Sequence, residues 1–458
     1  MRESDLWTIV RSIEKRRNKR EQPMIKFPKE VDKVIDKLNH MGFQTFVVGG
    51  SLRDRLMGFQ PVDWDLATKA KPDEILKIFP NAEVLNETLG VMRLYFTKSS
   101  HDEIAPVVDI ATFRREHTHD EKGTPVRFEF TDTIHEDLNR RDFTVNAMAY
   151  NNTLGIVDPF NGRKDIKDKI VRCVGDADER IKEDPVRILR ALMLIAEKGF
   201  HPEASLYEAI GKNCNSLNNL SIHRIREEFS RMMGGISVGT AIEIMKGTGV
   251  LKVIAGESVD NFFSVKKALF LEMVKKIDKT PPVRKRRLGL FYSLLDKDTA
   301  MKTLDKMQYD KTTRNRMMDV ITGMAAVESI TKPVNLKRFI ADVGIERYRF
   351  LAEVAHDRTV IFCKSSERTT KRLNMIENIE KKNEPIVPED LAVDGNDIRT
   401  ELGIDGKEVG EILDCLLLDV HRNPFKNRRE ILLYMAKAYG KSSLKRKIRQ
   451  NKRLNKFR

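Results

Sequence analysis

Two kinds of hydrophobic pattern divide this chain. Over roughly the first 160 residues, short apolar runs rich in β-branched side chains alternate with polar turns. Phe46-Val47-Val48 and Val107-Val108-Asp109-Ile110 are such runs, and they predict strands. Beyond about Lys182 the pattern lengthens into helix-forming segments that continue to Tyr439, with few strand candidates. One of these predicts a helix beginning near Glu183, with Pro185 in its first turn and Gly199 just past its last apolar residue. The polar stretch at 381–388, ending Glu384-Pro385 to Pro388, predicts a linker before a last helical unit. No apolar run approaches the ~20 residues of a membrane-spanning helix, so no membrane partner is expected. The fold class expected is α+β: a mixed head at 25–160 behind an N-terminal arm at 1–24, then helical segments at 161–255, 256–382 and 383–440.

Composition adds a direction. Lysine and arginine outnumber aspartate and glutamate by 83 to 68 across 458 residues, a formal charge of +15, which favours a polyanionic partner because neutralised phosphates release condensed counterions. The tract at 441–458 concentrates this bias, with nine basic residues and no acidic one. Cys173, Cys214, Cys363 and Cys415 lie far apart, which excludes a disulfide framework and a Cys-x-x-Cys zinc site and fits a reducing compartment. The first 20 residues are basic but contain Glu3, Asp5 and Glu14 and no secretory apolar core, so a cytoplasmic location is expected.

Chemistry concentrates in Val47-Val48-Gly49-Gly50-Ser51-Leu52-Arg53-Asp54, followed by Asp63-Trp64-Asp65-Leu66-Ala67-Thr68. A strand ending in Gly49-Gly50 lets the backbone turn tightly and approach a ligand, its N–H groups cradling phosphate beside Arg53. Asp63 and Asp65, two apart on a strand, share a face, and two hard oxygen donors on one face suit Mg²⁺. Asp109 on a neighbouring strand is a candidate third carboxylate. Two metals held this way would activate a 3′-hydroxyl and stabilise a pyrophosphate leaving group. Taken singly, a Gly-Gly turn is usually only a turn and an Asp-x-Asp pair a solvated surface; the ordered combination is what carries the reading.

That combination resembles the first motif of the class II tRNA nucleotidyltransferase and bacterial poly(A) polymerase family, within the DNA polymerase beta-like superfamily. Further segments match in the family's order. Arg140-Arg141-Asp142-Phe143-Thr144-Val145-Asn146-Ala147 resembles the ribose-recognition motif, and Gly155-Ile156-Val157-Asp158-Pro159-Phe160-Asn161-Gly162 the hinge. Glu183-Asp184-Pro185-Val186-Arg187 resembles the base-recognition motif, Arg224-Ile225-Arg226-Glu227-Glu228 loosely the fifth, and 391–440, with Gly395-Asn396-Asp397, the helical tail of Gram-positive-type members. The resemblance implies a nucleotidyltransferase head followed by all-α neck, body and tail domains, with tRNA, CTP and ATP as partners and a two-metal Mg²⁺ mechanism. The activity implied is template-independent addition of C and A to the tRNA 3′ end.

Base choice then has a physical form. Asp184 and Arg187, three apart, would share one helix face with Arg190 a turn further on. Aspartate only accepts hydrogen bonds and arginine only donates, whereas cytosine and adenine both present an amino donor beside a ring-nitrogen acceptor. Guanine and uracil present the reverse, so one Asp/Arg pair suffices to reject them; without the motif context the same spacing reads as an ordinary i, i+3 ion pair. Asp142 and Asn146 would meet the ribose hydroxyls, and Arg141 would hold phosphate or orient Asp184. Where the family usually carries one more arginine a turn after Arg190, this chain has Met193. The charged segment 114–130 resembles the flexible loop associated with terminal adenosine addition, and composition alone fits a plain surface excursion equally. His117-x-His119 is a weak metal signal, and His356-Asp357 lacks companion ligands at phosphohydrolase spacing. Rival readings are an A-only or CC-only adder, a poly(A) polymerase, and a catalytically inactive RNA-binding protein. Leu89-Gly90-Val91-Met92-Arg93, in place of a Gly-Arg-Arg-Phe-like run, argues against the polymerase, and Asp63 with Asp65 against the inactive protein.

Overall fold

The computed structural model describes residues 25–61, 63–96, 105–119, 125–363 and 365–440. The N-terminal arm and the basic tract at 441–458 lie outside the described residues. The chain divides into two compact units, Met1–Asn261 and Phe262–Arg458.

The first unit opens with helix α1 (Lys29–His40), whose Val31, Val34, Ile35 and Leu38 form one buried stripe at i, i+3, i+4 and i+7. There follow β1 (Thr45–Val48), α2 (Gly49–Leu56), β2 (Asp63–Thr68), α3 (Pro72–Ile78), β3 (Glu83–Asn86), β4 (Val91–Tyr95) and β5 (Val107–Thr112). After β6 (Arg114–His119), β7 (Pro125–Phe130) and α4 (Ile134–Asn139) come β8 (Ala149–Asn151) and β9 (Gly155–Val157). Seven strands form one mixed sheet in the order β3-β4-β5-β2-β1-β8-β9. The central pair β2–β5 is parallel, and the other pairings are antiparallel. Both expected strands are present, at β1 and within β5.

Strand alternation sorts the sheet's side chains onto two faces. Val47, Trp64, Leu66, Val108 and Ile110 join the larger apolar cluster with the stripe of α1. Phe46, Val48 and Ala67 join a smaller cluster with Ile134 and Leu138 of α4. Asp63 and Asp65 share the parity of Ala67 and so emerge on the α4 side.

The segment expected as a loop at 114–130 is instead a hairpin, β6 pairing antiparallel with β7 as a separate two-stranded sheet. Its high charge had hidden an alternation, Val126-Arg127-Phe128-Glu129-Phe130, that one ladder partner suffices to order.

The helical half of this unit begins with α5 (Gly162–Asp168), β10 (Ile170–Val171), α6 (Ala177–Glu183), α7 (Val186–Lys198) and β11 (His201–Pro202), the two short strands pairing in parallel. Helices α8 (Ala204–Asn213), α9 (Ile222–Met232), α10 (Val238–Gly247) and α11 (Val250–Ala255) follow, and the chain passes to the second unit within α12 (Glu257–Val265). The apolar surface of α7 packs on α9 and α10.

The second unit is helical among its described residues. It comprises α13 (Lys267–Lys276), α14 (Arg284–Leu294), α15 (Lys297–Met307), α16 (Lys311–Ser329), α17 (Pro333–Val343), α18 (Ile345–Phe362), α19 (Glu367–Lys381), α20 (Gly395–Leu402), α21 (Lys407–Arg422) and α22 (Arg429–Gly440). Its apolar clusters centre separately on α16–α19 and on α20–α22. His356 and Asp357 of α18 serve packing: Asp357 is fully buried and accepts two bonds from Arg286, and His356 contacts Thr369.

Candidate active site

The site grows from the β1–α2 turn. Gly49 has φ +67°, and a Cβ there would stand 3.1 Å from both Arg141 Nη1 and Asp65 Oδ2. A side chain at position 49 is therefore disfavoured twice, by the left-handed backbone and by crowding against the two charged groups that converge on it. Gly50 meets only Arg53 at ordinary contact distance, and its φ is not positive. Of the two glycines expected to make the turn, Gly49 alone meets the requirement.

Asp63 and Asp65 sit on β2 as the alternation predicts, Asp63 exposed and Asp65 half-buried. Ser51 ties this strand to the turn, its Oγ accepting the Asp65 N–H at 3.1 Å while donating to the Val48 carbonyl at 2.9 Å. Burial pushes the Asp65 carboxyl above the usual carboxylate range; Arg141 pulls the other way, and Asp109 and Asp63 add to the rise. Asp109 stands in register with Asp65 on the parallel neighbour β5. Its carboxylate, however, is bound on both oxygens by Arg93 Nε and Nη2, at 2.7 and 2.8 Å. Arg93 lies opposite it on β4, in the cross-strand position where an opposite charge is favoured. Among the described residues no three potential ligands converge as a metal cluster. The donors that fit a hard cation are the paired oxygens of Asp63 and Asp65, beside the space Gly49 leaves open.

Arg141 reaches this space from the loop after α4. Asp137 of α4, its side chain 0% exposed, accepts Arg140 on Oδ1 and Arg141 on Oδ2, at 2.7 and 2.9 Å. Burial alone would push the Asp137 carboxyl up; the two guanidiniums outweigh it and hold it below the usual range. Arg140 also donates to Glu116 of β6, which accepts Arg114 as well, so the hairpin shares this charge network. Sequence reasoning missed Asp137. The signal was its i, i+3 and i, i+4 spacing to Arg140 and Arg141, on a short helix that reads as ordinary surface.

Asp142 and Asn146 are brought together as expected. Asn146 Nδ2 donates to Asp142 Oδ1 at 3.0 Å, and Asn146 Oδ1 accepts Arg53 Nη1 at 2.6 Å. Burial would raise the Asp142 carboxyl, but Arg190 first and the Asn146 hydrogen bond second hold it low.

The base-recognition segment departs from expectation. Asp184 is not on the helix: it is the extended residue (φ −144°, ψ 98°) between α6 and α7, and Pro185 caps α7. Its Oδ1 accepts the Val186 N–H at 2.9 Å, satisfying a donor that the helix start leaves free. Arg187, 4% exposed, donates to Glu183 and to the Arg180 carbonyl, so it and Asp184 do not form the i, i+3 pair. Proline explains the change, because it disfavours helical backbone in the residue before it. Asp184, Arg187 and Arg190 still cluster electrostatically; burial raises the Asp184 carboxyl against the pull of Arg190, then of Arg187 and Arg224. Of the two roles expected for Arg141, holding phosphate or orienting Asp184, the second is not seen, for the guanidinium lies beside Asp65 and on Asp137. Met193 is buried in α7.

A mixed sheet presenting an Asp-x-Asp pair beside a glycine turn, with a following half-buried arginine and aspartate, has the form of a nucleotidyltransferase head. Residues 45–172 match the poly A polymerase head domain, and 199–259 match the probable RNA and SrmB-binding site of polymerase A. The CCA-adding enzyme of Ligilactobacillus salivarius is 28% identical over 410 residues, covering 88% of this chain and 95% of that one. That of Bacillus licheniformis is 33% identical over 223 residues, 49% of this chain and 54% of that one. Among solved structures, the Bacillus stearothermophilus CCA-adding enzyme in complex with CTP shares the fold, with TM-score 0.70 and 23% identity over 91% of this chain and 98% of that one. The Thermotoga maritima CCA-adding enzyme complexed with tRNA does so with TM-score 0.58 and 19% identity, covering 91% and 96%. The chain is thus similar to the tRNA nucleotidyltransferase and poly(A) polymerase family in its head and in the helical segment that follows. No described helix is long and apolar enough to cross a membrane.

Proposed function

We propose that this protein adds C and A nucleotides to the 3′ end of tRNA from CTP and ATP, without a template, releasing pyrophosphate. The observation that carries the reading is the convergence of Asp65 and Arg141 on Gly49, with Asp63 on the same face of β2, in a chain matched nearly end to end by a CCA-adding enzyme.

Asp63 and Asp65 would hold Mg²⁺, which suits two carboxylates together with substrate phosphates. When bound, the metal polarises the reacting phosphoryl oxygens and stabilises the departing pyrophosphate. The chain's own groups supply the rest. Arg141, anchored by Asp137, offers a fixed cation to the triphosphate at the glycine turn, and Arg53 holds Asn146 and thereby Asp142 in place for the ribose. Asp184 and the arginines of α7 present an acceptor and donors that match the pairing edge of C and A and oppose that of U and G. The tRNA 3′-hydroxyl attacks the α-phosphate, the bond to the β-phosphate breaks, and the tRNA is one nucleotide longer. The Cys residues among the described positions are free, in keeping with a reducing, cytoplasmic setting.

The test is incubation with tRNA lacking CCA, ending in CC, or complete, with each nucleoside triphosphate singly and in pairs. Addition of CCA to the first, A to the second and nothing to the third is expected, with Asp65→Asn silent throughout. Growth of an A tract on the complete tRNA would identify a poly(A) polymerase instead, and extension of only one incomplete substrate a partial-activity enzyme.

A further inference from the structure

The helix that carries the arginines of the base-reading cluster is tied to the catalytic head at both ends. Near its N-terminus, Arg190 Nη1 stands 3.5 Å from Asp142 Oδ2. At its last residue, Lys198 Nζ donates to Asp54 Oδ2 at 2.8 Å, both side chains largely shielded at 17% and 20% exposure. The ammonium also lies 4.6 Å above the ring of Phe59, which follows α2.

Both ties lead into a single hydrogen-bonded chain. Asp54 gives one oxygen to Lys198 and the other to Arg53, whose Nε and Nη2 approach at 2.8 and 2.7 Å. Arg53 donates to Asn146, and Asn146 to Asp142, the partner of Arg190. The circuit thus leaves α7 at Lys198, crosses the glycine-turn helix and the ribose-site residues, and returns to α7 at Arg190. The two anchoring residues are eight apart, about 12 Å of helix at 1.5 Å per residue.

The physical consequence follows from what holds α7 elsewhere. Its apolar surface packs chiefly on α9 and α10, and to a lesser extent on α6 and the short strands β10 and β11. Packing of that kind fixes α7 relative to those elements and leaves its axial position over the seven-stranded sheet to polar links. We propose that Lys198 is a positioning residue for nucleotide selection: through Asp54 it sets where α7 holds the base relative to the Asp63/Asp65 face, and at the same time orients Arg53. The inference rests on the proposed function above, and it assigns a specificity role to a residue that touches no substrate.

The test compares Lys198→Met, which keeps the stem over Phe59 and removes the charge, with Lys198→Arg and Asp54→Asn. Turnover of all four nucleoside triphosphates on tRNA lacking CCA is measured, alongside calorimetric binding of CTP and UTP. Lys198→Met should lower kcat for CTP and ATP about tenfold, less than the ~hundredfold that a 1 Å misplacement costs. It should also narrow the CTP-over-UTP ratio in kcat/KM and in binding, with tRNA affinity unchanged. Lys198→Arg should restore the ratio, and the double variant Lys198→Met with Asp54→Asn should be no worse than the poorer single one, as groups acting as a unit behave. An unchanged CTP-over-UTP ratio, or an equal loss for all four nucleotides accompanied by a lower Tm, overturns the proposal by reducing Lys198 to a stabilising contact. If the wild-type protein transfers no nucleotide, the proposed function fails; the binding ratio of CTP to UTP in wild type and Lys198→Met then decides the positioning role of Lys198 by itself.

Discussion

At Asp137, one buried carboxylate sets the position of Arg141, the cation beside Gly49 and Asp65. Both its oxygens are committed, to Arg140 and to Arg141, and no water can replace either partner at 0% exposure. Asp137→Asn would leave two guanidiniums short of their counter-charge, which typically costs about 3–5 kcal/mol when a buried pair is broken. The pH dependence has a definite sign. The Asp137 carboxyl is held below its ordinary value, so its contribution is fully present above the unfolded value of about 4 and is lost as pH falls through the lower folded value. The gap in Tm between wild type and Asp137→Asn should therefore be constant from pH 7 to 5 and close only below about pH 4. Thermal melts across that range check it; a gap that closes between pH 7 and 5 would place the titration on another group.

At the scale of elements, the junction between α6 and α7 matters most. Asp184 both caps α7 at Val186 and faces the arginine cluster, so Asp184→Ala would confound helix stability with base selection. Asp184→Asn separates them. Asparagine caps helices as well as aspartate does, so Tm should move little. Its amide adds a donor where uracil and guanine present a carbonyl, so the preference for CTP over UTP and for ATP over GTP should fall by about tenfold, the equivalent of one hydrogen bond of ~1.4 kcal/mol. Values of kcat/KM for the four nucleotides decide the matter. Equal losses for all of them would make Asp184 a cap and nothing more.

For the whole molecule, the relevant quantity is charge. The net +15 is spread over the chain, but 441–458 holds nine positive charges with no carboxylate to offset them. Deleting this tract should weaken tRNA binding and flatten its salt dependence, with each phosphate left unneutralised taking roughly 0.7–0.9 off the slope of log K against log salt. Nucleotide choice should not change, because the residues proposed to read the base lie in α7 and the position before it. Filter binding between about 50 and 200 mM salt measures the slope, and an unaltered slope would remove the tract from the RNA interface.

The strands, the shared face of Asp63 and Asp65, the glycine turn and the helical character of the remainder were all legible along the chain. They follow from periodicity and from backbone restrictions that act over a few residues. Asp142 and Asn146 likewise fell within one motif, since only three residues lie between them. Local rules reached less far at Asp184, where proline's effect on its predecessor prevailed over helical spacing, and at 114–130, where a strand partner ordered a charged segment. Three pairings came from the assembled fold instead: Arg93 neutralises Asp109, Asp137 anchors Arg141, and Lys198 meets Asp54 across 144 residues of chain. The first and last of these link residues far apart in sequence, and even Asp137 became decisive only once folding removed its water. In each case burial decides which charges must pair, and burial is a property of the packed layers.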